Sequence, residues 1–121
     1  MNALGTHLLV ELGDCDRELL NDLSYVRKVL IESADLVGAH VIGESFHKFS
    51  PQVVTGILSI SESHLSVHTW PEYAYAAVDI FTCSDMDANK AADYIIQCFH
   101  SLDSSRIEVP RGIIKSPVRI S

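Results

Sequence analysis

Residues 59–72 read SISESHLSVHTWPE, and the alternation within them decides the fold. Successive side chains of an extended chain point to opposite faces, so His64, Ser66, His68 and Trp70 share one face while Leu65 and Val67 share the other. Ser61-Glu62 reads as a two-residue turn between two β-prone runs, Val53 to Ile60 and His64 to Trp70, which must then pair antiparallel. That turn sets Thr55 opposite His68. If Pro71 to Ala74 forms the next loop, a third run from Tyr75 to Thr82 pairs with the second and brings Cys83 level with Glu62. Opposed residues lie about 5 Å apart at Cβ, so Thr55, His68 and Cys83 are expected to converge around the Glu62-Ser63 bond.

Further out, Val41 to Phe49 supplies another strand, and Leu4 to Leu12, apolar and closed by Gly13-Asp14, supplies the first. Asp16 can cap a helix whose apolar residues Leu19, Leu23, Val26, Leu30, Ala34 and Val37 recur at spacings of three and four, stopped by Gly38. A second amphipathic helix begins near Asp87, with Ala88, Ala91, Ile95, Phe99 and Leu102 on its buried stripe. A short last strand is expected over Arg106 to Val109, with Pro110, Gly112 and Pro117 leaving the final dozen residues irregular. The order β-α-β-β-β-β-α-β predicts an α+β fold, a two-layer sandwich of a mostly antiparallel sheet with two helices on one face.

A length of 121 residues fits a single domain over 1–121. With 47% hydrophobic and 21% charged residues the chain can bury a core. Its net charge of -7 disfavours nucleic acid and anionic membrane and suits a cationic small molecule. The absence of a long apolar run and of a basic, apolar leader predicts a cytoplasmic protein. Cys15, Cys83 and Cys98 form no CxxC pair, so a free thiol rather than a disulfide framework is expected.

The run SESHLSVHTWPEYAYAAVDIFTC, with GTHLLVEL, the Cys15-Asp16 pair and FHKFSP, resembles the prokaryotic S-adenosylmethionine decarboxylase proenzymes over nearly the whole chain, in order. The resemblance implies self-cleavage between Glu62 and Ser63 into chains 1–62 and 63–121, with Ser63 becoming a covalent pyruvoyl group. It implies that His68 is the acid/base of processing, that Thr55 supports it, and that Cys83 returns a proton during decarboxylation. The substrate amine would form a Schiff base with the pyruvoyl group, so neither a metal nor pyridoxal phosphate is expected. Phe49 and Trp70 would pack against S-adenosylmethionine and Glu72 would hold its ribose hydroxyls. The decarboxylated product would be the aminopropyl donor for spermidine, and two protomers would associate sheet to sheet as an (αβ)2 homodimer. Thr55 stands where the family is expected to carry serine; its extra methyl is expected to crowd the oxyanion and slow maturation. Val53 and Ser84 stand where glycine is expected.

Taken singly these residues have plainer readings. His47, His64 and His68 could be ordinary strand histidines, Glu72 and Asp79 solvated charges, and Cys15 and Cys98 structural thiols. A metal-binding module would use His64 and His68, but a strand separates residues four apart by about 13 Å. Pyruvoyl-dependent arginine or ornithine decarboxylation on the same scaffold is the alternative activity, and a non-catalytic relative the remaining one.

Overall fold

The alternation that begins around Ser61-Glu62 extends across the molecule. The computed structural model describes residues 2–49, 51–83 and 85–114. Six strands, β1 (Asn2–Gly13), β2 (Val41–Phe49), β3 (Val53–Ile60), β4 (Ser63–Trp70), β5 (Tyr75–Thr82) and β6 (Asp103–Ile114), form one sheet in the order β2-β3-β4-β5-β1-β6. All five ladders are antiparallel. One side of each inner strand is apolar: Leu8, Val10 and Leu12 of β1, Val54 and Leu58 of β3, Leu65 and Val67 of β4, and Val78 and Ile80 of β5 are all buried. Against that side pack α2 (Leu23–Leu36), through Val26, Val29, Leu30 and Ala34, and α3 (Ala88–Cys98), through Ala91, Ala92 and Ile95. The result is the expected α+β two-layer sandwich, with no helix among the described residues on the other sheet face.

Three local expectations are corrected. The helix begun at Asp16 is two helices. Asp16 caps only α1 (Arg17–Leu20), and Asp22 restarts the chain as α2 by accepting a hydrogen bond from the Tyr25 N–H. The apolar spacing carries through this break, so periodicity alone could not find it. At the other end, α3 stops at Phe99 because His100 takes a left-handed φ of 55°, and Leu102, expected on the buried stripe, is 86% exposed beyond it. The last strand is twelve residues long rather than four. It pairs with β1 from Gly13↔Asp103 to Asn2↔Ile114, running through Pro110 opposite Thr6. An edge strand needs donors on one side only and so tolerates a proline. Gly112 has a φ of 69°, and a Cβ there would meet the Leu4 side chain at 2.9 Å. Pro117 and Ser84 lie outside the described residues.

Candidate active site

Both registers hold as read. Ile60 pairs with Ser63 around the Ser61-Glu62 turn, Thr55 pairs with His68, and His64 and Trp70 pair with Phe81 and Tyr75. The β4–β5 register therefore brings Cys83 level with Glu62, just past the end of the ladder. There the Cys83 N–H donates to Ser63 Oγ at 3.3 Å. Glu62, the residue before this serine, has a φ of 59°. A side chain in that left-handed region costs about 1–2 kcal/mol relative to the right-handed one. Ser63 is half-buried and borders a cleft of about 440 Å³ at this end of the sheet, which Gly38, His40, Ile60, Ser61 and Asp85 also line.

A second polar pair lies elsewhere on β4. Thr55 Oγ1 and His68 Nδ1 are 3.2 Å apart on the helix-free face. Around them the aromatic residues gather: His68 and Trp70 rings are 6.3 Å apart, Trp70 and Tyr75 5.4 Å, and His47 and Phe49 6.1 Å. The Tyr75 hydroxyl donates to Glu11. Phe49 is 54% exposed, at the start of the connection to β3, where half-buried Val53 pairs with it. Glu72 lies in the short 3-10 turn Pro71–Tyr73 and lines a smaller cleft of about 260 Å³ with Arg17, Asn21 and Gln52.

The expected convergence of Thr55, His68 and Cys83 on one bond is therefore not what a single chain provides. Cys83 meets Ser63 and Thr55 meets His68, but Ser63 and His68 are five residues apart along one strand. At 3.3 Å per residue that is about 16 Å, several times the reach of a proton transfer. Cross-strand pairing gathers residues across a sheet and cannot gather them along it. The chain holds two separate candidate groups, Ser63 with Cys83 and His68 with Thr55, each at most half of the expected site.

Between the half-sites lies a group that single-residue reading passed over. Asp79 is no solvated edge charge: it is half-buried on the inner strand β5, its Oδ1 3.1 Å from His7 Nε2 and its Oδ2 accepting from Ser66 Oγ at 3.1 Å. Phe81, one position nearer Cys83 on the same face, sits between His7 and His64, with ring centroids at 6.0 and 5.5 Å. The signal was available, since the alternation of Tyr75 to Thr82 puts Asp79 on the face of His68. Of the other thiols, Cys15 is buried, and that burial pushes it up to about 11, while Cys98 is half-buried in α3. Among the described residues no three histidine, cysteine or carboxylate side chains gather as a metal site, and no helix is long and apolar enough to cross a membrane.

The chain as a whole matches a known family. Residues 6–112 match the model of the S-adenosylmethionine decarboxylase family. A protein of Caldicellulosiruptor saccharolyticus called S-adenosylmethionine decarboxylase proenzyme is 47% identical, the match covering 100% of this chain and 98% of that one. One of Bacillus velezensis with the same description is 45% identical over 99% of this chain and 94% of its own. The crystal structure of the adenosylmethionine decarboxylase from Aquifex aeolicus superposes with a TM-score of 0.90 at 29% identity, covering 99% of this chain and 100% of that one.

Proposed function

The chain belongs to the S-adenosylmethionine decarboxylase family, and from that premise we propose that it is a cytoplasmic, self-processing decarboxylase of S-adenosylmethionine whose electrophile is a pyruvoyl group made from Ser63. The reading makes its product the aminopropyl donor for spermidine. One observation carries it: Ser63 follows a left-handed residue at the tip of a hairpin, with its hydroxyl already engaged by the Cys83 amide.

In processing, Ser63 Oγ attacks the Glu62 carbonyl carbon. The peptide C–N bond breaks as the ester C–O bond forms, which also frees Glu62 from its left-handed turn. Loss of the Ser63 α-proton then expels the Glu62 carboxylate, leaving dehydroalanine. Tautomerisation and hydrolysis with loss of ammonia give pyruvoyl at the head of chain 63–121. An imidazole suits the proton transfers of this sequence, and the Thr55 hydroxyl, hydrogen-bonded to His68, holds that imidazole in place. The site fits the group, since Ser63 heads a strand beside an open cleft and its hydroxyl accepts from the backbone amide of Cys83, a residue that is itself exposed. A pyruvoyl group there supplies an electron sink for the release of carbon dioxide. On this reading Cys83 returns a proton to the substrate α-carbon, and Trp70 and Phe49 present aromatic faces suited to adenine and a sulfonium. Glu72 offers its carboxylate to ribose hydroxyls.

The 16 Å between the half-sites supports a two-chain site. On this reading two copies face each other across their helix-free sheet faces, and the Thr55–His68 pair of each, with Phe49, Trp70 and Glu72, serves the Ser63 of the other. Co-expression tests it. A His68→Ala chain carries the bond without its acid/base, and a Ser63→Ala chain carries the acid/base without the bond. Neither is cut alone, and the His68→Ala chain is cut when the two are mixed, giving two shorter bands by SDS electrophoresis. An uncut mixture would refute supply from the partner. Carbon dioxide release from S-adenosylmethionine, arginine and ornithine, measured side by side on the mature enzyme, tests the substrate; turnover of either amino acid without S-adenosylmethionine turnover would sink it.

A further inference from the structure

The His7–Asp79–Ser66 group lies between the half-sites, and its position follows from the registers. On the helix-free face the residues form rows across the strands: Leu9, Asp79, Ser66 and Ile57 make one, and Glu11, Ala77, His68 and Thr55 the next. Resting on the two-copy reading above, Ser63 of one copy must meet the partner's His68 and the reverse. Two facing sheets can satisfy both only about a two-fold axis that crosses the strands halfway between residues 63 and 68. That axis passes within about half a residue, or 2 Å, of the Asp79–Ser66 row. Each Asp79 then faces its own counterpart.

We propose that the His7–Asp79–Ser66 group is the register element of the sheet-to-sheet dimer, a set of positioning residues that fixes how the two copies slide relative to one another. The chemistry is one of selection. The surrounding face is apolar and forgiving: Leu9 and Phe81 are half-buried, and Ile57, Ile107 and Val109 are 46%, 67% and 36% exposed. Such side chains pack against each other in many registers. A carboxylate does not, because buried without hydrogen-bond donors it is strongly penalised. Asp79 keeps its own His7 and Ser66 in any register, and in the axial one it also meets the matching polar group of the other copy. A slip of two residues along the strands would set it against Phe81 or Ala77 instead. The face also carries His7, His47, His64 and His68, four of the six histidines of the chain, as further hydrogen-bonding groups. Polar groups at an interface select among geometries more than they add affinity.

The test separates register from strength. Asp79→Leu replaces the carboxylate with an apolar group of similar size. It is expected to remain dimeric by sedimentation equilibrium while cleaving at Ser63 at least about tenfold more slowly. The exchanged variant His7→Asp/Asp79→His restores a paired group at the axis and is expected to recover cleavage to within about threefold of the parent. Circular dichroism checks folding, with Asp79→Asn as the milder substitute should Asp79→Leu fail to fold. A dimeric Asp79→Leu that cleaves at the parent rate overturns the proposal. So does a monomeric one, which would make the group a source of affinity, and so does an exchange that recovers nothing. Because the mixing of His68→Ala with Ser63→Ala leaves this group intact, its failure would count against supply from the partner, while its success beside a normal Asp79→Leu would remove only the register role.

Discussion

In the proposed chemistry, Thr55 is where a single methyl would matter most. Its Oγ1 lies 3.2 Å from His68 Nδ1, so the hydroxyl that a serine would offer is present and engaged, with a branched Cβ beside it. Removing the methyl keeps the hydrogen bond and opens space on the face that the partner's scissile bond would occupy. Thr55→Ser is therefore expected to raise the first-order rate of self-cleavage, by about threefold to tenfold, with little change in stability; time courses on SDS gels and a urea midpoint measure the two. An unchanged rate would mean that the methyl crowds nothing. At this scale the sequence was informative about which residues matter and silent on how they combine. Ser63, Thr55 and His68 could be placed by strand arithmetic because a two-residue turn leaves no freedom of register, and Cys83 because the short connection 71–74 fixes the next one. Asp79 could not be weighed from its identity alone, since a carboxylate reads as surface until its partners, His7 from a strand seventy residues earlier and Ser66 from the neighbouring strand, are brought beside it.

Elements were legible in proportion to how local their causes are. The bounds of β2, β3 and β5 coincide with the apolar runs that predict them. The split of the first helix depends on one capping side chain, Asp22, within an unbroken apolar stripe, and the length of β6 depends on β1 lying beside it as a template; neither cause is visible in its own segment. Edge strand β2 shows what holds such an element. It is largely exposed and has a neighbour on one side only, yet Phe46 reaches back over Gly56 of β3, where a Cβ would come within 2.3 Å of the ring. Gly56→Ala is expected to dislodge Phe46 and to destabilise the fold by about 1–3 kcal/mol. Urea unfolding in a Ser63→Ala background, which keeps the chain whole, measures this; a midpoint equal to the parent's would show that the ring swings aside freely.

For the whole molecule, a site divided between two copies makes maturation depend on concentration. Freshly refolded precursor is expected to be cut more slowly per molecule as it is diluted through the dissociation range of the dimer, whereas a site complete in one chain would cleave at the same fractional rate at every dilution. The strand order carries one more implication. With the bond between β3 and β4 cut, β2, β3 and β1 belong to chain 1–62, and β4, β5 and β6 to chain 63–121. Read across the sheet, the two fragments alternate: β1 of the first is sandwiched between β5 and β6 of the second, and three of the five ladders become seams between separate molecules. The fragments are thus plaited and hold together with no covalent link. β1 takes its place between two strands that lie later in the same chain, so in the proposed enzyme the sheet forms most readily before the bond is cut. On that reading the scission is a ratchet: the melted mature enzyme is expected to regain its sheet more slowly than the uncut precursor, since two fragments must meet before β1 can re-enter it.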